Sequence, residues 1–349
     1  MPRLRTTSPS QPGWTRRRRG GGFVYVDQAG ARVGDEGLQR CKSLVIPPAW
    51  HDVWISPYAN GHIQAVGTDD AGRRQYLYHP LWCQQRDAEK HERILTVAAR
   101  LPEARELVRH DLNLPGMPRD RALATSFRLL DLGFFRIGGE EYAEANGSFG
   151  LATLRREHVR LSNGHIVFDY TAKSGKERLI TLSDDDVLEA LRTMLRRRTG
   201  GEELLACKED NVWVDVTSAD INQYVKQVVG GEVSAKDFRT WHATVLAAVA
   251  LAVSTHAAHS ESARKRAVAR AMREVSDYLG NTPAVARTSY VDPRVVDLFD
   301  DGVTIEPALR QIGDGAAFGE PATHGAIEEA VLEMLSQPPP SSVRAARRR

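Results

Sequence analysis

Short runs with strand character open the chain, and longer runs of helical period follow. FVYVD, LVIPPAWHDVWIS, HIQAVGTDD and RRQYLYHP are each brief, rich in β-branched or aromatic residues, and bounded by Gly, Pro, Asn or Asp, as strands are. An Asn60-Gly61 turn signal joins two of them. From Leu81 the period lengthens, and WCQQRDAEKHERILTVAARLPEARELVRHDL predicts a long surface helix. Helical texture then runs to about residue 300 with one interruption. That interruption, HVRLSNGHIVFDYTAKSGKERLITL, contains three strand-like runs separated by Ser162-Asn163-Gly164 and Ser174-Gly175-Lys176, and it predicts a three-stranded meander. The pattern as a whole predicts an α+β protein, with a small N-terminal antiparallel β-sheet domain and a larger, mainly α-helical domain that contains the meander.

Composition adds boundaries to this picture. The 349 residues are 42% apolar and 26% charged, ordinary for a folded globular chain. The net charge of +2 conceals an uneven distribution. Six arginines and no acids precede Asp27, four arginines and no acids occupy the last thirteen residues, and eight acids face the single Arg310 between Asp300 and Glu333. Residues 1–22 therefore read as a disordered basic arm, 23–90 as the β-rich domain, 91–335 as the helical domain and 336–349 as a disordered basic tail. A positive body suits a polyanionic partner, although a lone basic tail is more often simply solvated. Cys41, Cys83 and Cys207 show no pairing pattern, which fits a reducing cytoplasm, and no apolar run is long enough to span a membrane.

Walker, G-x-G-x-x-G, H-E-x-x-H and G-x-S-x-G signatures are absent. Asp184, Asp185 and Asp186 follow Ser183 and precede VLEALRTMLRRR, so they suit a capped first helical turn better than a metal cluster. His158 and His242 have no ligand spacing and default to structural or surface roles. Five scattered residues remain: Arg136 in FFRIGGEEY, Lys173 in the meander, Arg239 in AKDFRTWH, Asn281 in LGNTPAV and Tyr290 in ARTSY. Singly, each has a plain structural explanation, and periodicity does not select them.

A family resemblance does. From about residue 23 to residue 300 the chain resembles the bacterial, poxvirus-like branch of the type IB DNA topoisomerases. RRQYLYH, from Arg73 to His79, is similar to the DNA-contacting segment of the poxvirus enzymes. FRIGG, with Tyr142 six residues after Arg136, resembles the first catalytic arginine segment, and SFGLATLRREHV resembles the approach to the small sheet that carries the family's lysine. AKDFRT, with Lys236 three residues before Arg239, is close to the second arginine motif, and Asn281 lies nine residues before Tyr290 at the family's spacing. One position departs: Asn281 stands where poxvirus and eukaryotic enzymes have histidine. Its amide can donate a hydrogen bond to phosphate but cannot become cationic.

The resemblance implies a DNA relaxation enzyme that needs no ATP, metal or cofactor. Tyr290 would form a 3′-phosphotyrosine link, Arg136, Arg239 and Asn281 would bind the phosphate oxygens, and Lys173 would protonate the leaving 5′ oxygen. The chemistry suits these residue types. A phenol with a pKa near 10 needs cations to favour its oxyanion. Arginine grips two phosphate oxygens and keeps its charge, and a lysine among other cations is pushed towards general-acid range. The helix pattern around the tyrosine agrees, with Ala267, Val268, Ala271, Met272, Val275 and Leu279 on one face, a Gly280 stop, and Thr282-Pro283 opening the next helix.

The resemblance also implies that the two domains clamp double-stranded DNA, with Arg73, Arg74, Gln75, Tyr76, Tyr78, Tyr142 and Lys236 as contacts, and that a monomer suffices. For Tyr76 and Tyr78 the alternative is a shared packed face of a strand. Two rivals were weighed: a tyrosine recombinase, which normally reads His-x-x-Arg where this chain has Lys236 and Arg239, and a non-catalytic DNA-binding protein.

Overall fold

The structure is a computed structural model that describes residues 3–313 and 323–337. It divides into two compact units, residues 1–92 and the chain from Arg93 onward.

The first unit is an antiparallel sheet of β1 (Trp14–Arg19), β2 (Gly22–Val26), β3 (His51–Ile55), β4 (Ile63–Thr68) and β5 (Arg74–Tyr78), in the order β2-β1-β3-β4-β5, with α1 (Asp35–Ser43) covering it. Cys41, Ile46, Val53, Ile55 and Ala65 form its small core, flanked by Trp14, Tyr25, Leu44, Trp50 and Leu77. Two expectations need correction. The basic arm expected over residues 1–22 contains β1, a strand inside the sheet. WTRRRR alternates like any strand: Trp14 and Arg16 turn inward, and Arg16 donates to the carbonyls of Ile46, Pro47 and Trp50 while lying 4.2 Å over the Phe23 ring. Long arginine stems cover apolar surface as well as carry charge, which composition alone hides. The run LVIPPAWHDVWIS forms a strand only over His51–Ile55, because Pro47 and Pro48 have no N–H for a ladder.

Helix α2 (Pro80–Ala98) leads into the second unit, and the long helix expected from Leu81 is broken there. Pro102 lacks an N–H and sits in the first turn of a separate α3 (Leu101–Leu112). There follow α4 (Arg119–Gly133), α5 (Glu140–Asn146), the meander β6 (Val159–Ser162), β7 (His165–Ala172) and β8 (Lys176–Leu182), and α6 (Asp185–Leu195). Asp184 caps α6 by accepting from Val187 N, as the acidic run predicts. A second small sheet was not foreseen: β9 (Ala206–Glu209) and β10 (Val212–Asp215) pair across Asp210 and Asn211, both at positive φ as a tight hairpin demands. Next come α7 (Ser218–Val229), α8 (Ala235–Val253), α9 (Glu261–Leu279), α10 (Pro283–Ser289), α11 (Pro293–Asp300), α12 (Glu306–Gly313) and α13 (Ala326–Ser336). Ser336 thus belongs to a helix, and the rest of the expected tail, from residue 338, lies outside the described residues. Most sides of α4 and α8 are buried, which places them at the centre of the helical core. The fold is α+β, as the pattern predicts.

Candidate active site

Four of the five singled-out residues come together where α8, α9 and the end of α4 meet. Arg239 is in the second turn of α8 and 3% exposed. Its Nη1 donates to Phe134 O just past α4, and its Nη2 to Leu279 O at the end of α9 over 2.8 Å. These are two helix-end carbonyls that no helical N–H can satisfy. Arg136, two residues past Phe134, donates from Nη2 to Asn281 Oδ1 over 2.6 Å.

The α9–α10 corner is built from its sequence. Gly280 takes φ 62 as the left-handed end of α9. Thr282 caps α10 by accepting from Val285 N, and Pro283 occupies its first turn. Tyr290 ends α10, and Thr244 of α8 pins its surroundings: Thr244 Oγ1 donates to Tyr290 O over 3.4 Å and accepts from Asp292 N over 3.1 Å. One helix therefore carries Arg239 and also anchors the backbone of Tyr290. The Arg239 guanidinium carbon lies 5.3 Å from the centre of the Tyr290 ring.

Electrostatics follow from this packing. Burial by itself would raise the Tyr290 pKa, but the charge of Arg239, and more weakly Arg136, outweighs it, and the phenol sits below its ordinary value. The Asn281 amide adds a small contribution from beyond hydrogen-bonding distance, since its Nδ2 is buried with no acceptor in reach. Arg239 is itself pushed down to about 10, first by burial and then by repulsion from Arg136, with Tyr290 opposing. Arg239 Nε is a second buried donor without a partner. Unused buried donors are costly, and here two of them, with two guanidinium groups, border a phenol. The arrangement is fit to receive an anion.

Lys173 is not brought into this group. It stands exposed at the β7–β8 turn, beside Ser174 and Gly175 at positive φ, with no hydrogen bond or ion pair among the described residues. The strand it precedes is tied to the site instead. Arg178 donates to Asp277 O over 2.9 Å and Tyr278 O over 2.6 Å, capping α9, and Lys176 Nζ makes longer contacts to Gly280 O and Asn281 O at 3.5 and 3.4 Å. The sequence reading missed Arg178 and Lys176; the KSGKER run that holds them gave no signal of what they would face.

Residues 80–301 match the family model of the eukaryotic DNA topoisomerase I catalytic core, and residues 22–69 match the N-terminal domain of bacterial DNA topoisomerase IB. The chain belongs to the type IB DNA topoisomerases. DNA topoisomerase 1B of Acanthamoeba polyphaga mimivirus is 29% identical over 80% of this chain and 84% of its own length. DNA topoisomerase 1B of vaccinia virus (strain Copenhagen) is 20% identical over 68% and 72%. A solved XerH site-specific recombinase bound to its palindromic difH substrate is 15% identical over 58% of this chain and 50% of its own, with a TM-score of 0.38, too low to carry weight. As a type IB topoisomerase the protein is an isomerase acting on DNA, and the recombinase and non-catalytic readings give way to that membership.

The expected DNA contacts of this topoisomerase divide by face. Arg74, Tyr76 and Tyr78 occupy the exposed face of edge strand β5, with the two tyrosine rings stacked 5.8 Å apart. The packed-face alternative for these tyrosines is not what the structure has. Gln75 turns to the other face, where its Nε2 donates to Asp69, and Arg73 donates to the same carboxylate. Tyr142 on α5 and Lys236 on α8 are exposed. Among the described residues one group has metal-ligand character, the buried Asp131, His242 and His324. Both oxygens of Asp131 accept from Arg105, whose cation stands where a metal ion's charge would be needed. No helix among the described residues is long and apolar enough to cross a membrane.

Proposed function

We propose that Tyr290 is the nucleophile of a strand-cleaving and resealing reaction that relaxes supercoiled DNA. Arg136, Arg239 and Asn281 hold the scissile phosphate, and Lys173 delivers a proton to the departing 5′ oxygen. The observation that carries this reading is the convergence of two arginines and an unused amide donor on one phenol whose pKa they lower. The phenolate attacks phosphorus, a 3′-phosphotyrosine bond forms as the P–O5′ bond breaks, and the proton passes to the 5′ oxygen. Preorganised cations stabilise the added charge on phosphorus. Because the covalent bond conserves the phosphodiester's energy, resealing is direct reversal and draws on no ATP, and the cationic residues leave no step that calls for a metal.

Arg73, Arg74, Gln75, Tyr76, Tyr78, Tyr142 and Lys236 are proposed to contact the duplex. The protein acts as a monomer in the cytoplasm, associated with the nucleoid; a stable dimer in sedimentation would remove the first of these. Relaxation of supercoiled plasmid in EDTA without ATP, by the natural chain and not by Tyr290→Phe, is the expected result. Relaxation by Tyr290→Phe would overturn the assignment of the nucleophile.

A further inference from the structure

We propose that Arg105, Asp131 and Glu328 form a buried brace, closed by the C-terminal helix α13, which sets the relative positions of Arg136 and Arg239. Asp131 and Glu328 are thus positioning residues for strand cleavage. The inference rests on the proposed roles of those two arginines.

The end of α4 is where the site's geometry is decided. Phe134 takes the left-handed conformation, φ 55 and ψ 25, which a side chain adopts only when its surroundings enforce it. Its ring lies 5.6 Å from both His242 and Tyr278, and its carbonyl accepts from Arg239. Arg136 is two residues further on. Asp131 lies in the last turn of α4, fully buried, at the helix end that disfavours negative charge. Burial would raise its pKa, yet His324, His242 and Arg105 together hold the carboxyl well below the usual range. A buried carboxylate at the wrong end of a helix opposes local stability, so something in the fold must require it.

What it engages is a single guanidinium shared by three elements. From α3, Arg105 donates through Nε and Nη2 to Asp131 at 2.9 and 3.0 Å, and through Nη1 and Nη2 to Glu328 of α13 at 2.5 and 3.1 Å. Glu328, 3% exposed, accepts in turn from Trp241 Nε1 over 2.6 Å, and Trp241 lies two residues past Arg239 on α8. Arg105 therefore fixes the end of α4 and, through Glu328, the first half of α8. His324, just before α13, approaches Asp131 O at 3.2 Å from the same side. Apolar residues of the same volume would hold a core together as well or better. A forked ion pair adds direction, so the three helices meet in one register. The matched catalytic core ends at residue 301, so Glu328 and α13 are contributed by chain beyond it.

The test uses the full chain with Glu328→Ala, Glu328→Gln and Arg105→Lys, the last keeping the charge and losing the fork. Single-turnover cleavage of a short duplex is measured against pH, and duplex affinity in the Tyr290→Phe background. Glu328→Ala is expected to cleave at least tenfold more slowly, with affinity within twofold. Its rising pH limb moves upward, because Arg239 no longer lies against the phenol. Glu328→Gln restores most of the rate, and Arg105→Lys repeats the shift. A native rate, or a loss that only tracks the folded fraction with an unmoved pH profile, overturns the brace. Should Glu328→Ala not fold, Arg105→Lys decides by the same two readouts. A natural chain that forms no covalent adduct refutes the functional reading. Cleavage abolished by Arg239→Ala but untouched by the brace variants refutes the brace alone.

Discussion

Arg136 Nη2 donates to Asn281 Oδ1 across 2.6 Å, and that one bond fixes which way the Asn281 amide faces. With the oxygen engaged, Nδ2 is left buried without an acceptor, beside Tyr290. Asparagine can therefore stand in for the family's histidine: Arg136 orients it as a donor. Removing a hydrogen bond to a charged group costs about 1.5–3 kcal/mol. Asn281→Ala is accordingly expected to slow single-turnover cleavage roughly 10- to 100-fold. Asn281→Asp keeps the contact to Arg136 but turns an acceptor on the phosphate, and it is expected to lose more than the alanine variant. Equal rates for the two would mean that Nδ2 does not face the phosphate.

Arg239→Lys is not a conservative change here. The guanidinium spans Phe134 O and Leu279 O with its two terminal nitrogens and keeps Nε in reserve. A lysine cannot bridge both carbonyls, and an ammonium buried this deeply beside Arg136 is driven towards neutrality. Cleavage by Arg239→Lys is expected to fall nearly as far as in Arg239→Ala, by about two orders of magnitude or more, as when a preorganised oxyanion donor is lost. A lysine variant within tenfold of the natural chain would show that charge alone suffices.

Much of this site was legible because its residues are held by local signals: the Gly280 stop, the Thr282 cap with Pro283, and the six-residue apolar face of α9 all lie where the pattern puts them. The α+β outline was legible for the same reason, since period and turn chemistry are local. The arginine-rich start misled because a composition count cannot see that Arg16 answers three carbonyls from residues 46 to 50. Asp131, His242 and Glu328 gave no signal because their partners lie more than 80 residues away or on helices whose relative placement no periodicity encodes. Arg178 was invisible likewise, its meaning resting on the carbonyls of residues 277 and 278.

Arg178 is expected to matter twice. It caps the C-terminal end of α9 and ties to it the hairpin that carries Lys173. Loss of the cap in Arg178→Ala should cost about 1 kcal/mol of stability, the size of a helix-end interaction. The readout of interest is the ratio of cleavage to DNA affinity. Loosening the hairpin is expected to lower cleavage several-fold at unchanged affinity, and a fall in both together would make Arg178 a DNA contact instead.

His242 gives the protein an acid sensitivity whose sign is set by burial. The ring is fully buried, and burial lowers its pKa below the ordinary value despite the nearby Asp131. In the unfolded chain it titrates near pH 6.5. Below that pH the unfolded state binds a proton that the folded state refuses, so stability is complete above about pH 6.5 and declines as pH falls towards the lowered folded value. The slope from one such group is at most about 1.4 kcal/mol per pH unit. Asp131, held well below the usual carboxylate range, adds its own loss only at more acid pH, beneath the unfolded value of about 4. Thermal melts from pH 7.5 to 5 are therefore expected to show Tm falling in the natural chain and staying flatter in His242→Gln, whose side chain has no proton to gain. Parallel curves for the two proteins would place the acid sensitivity elsewhere.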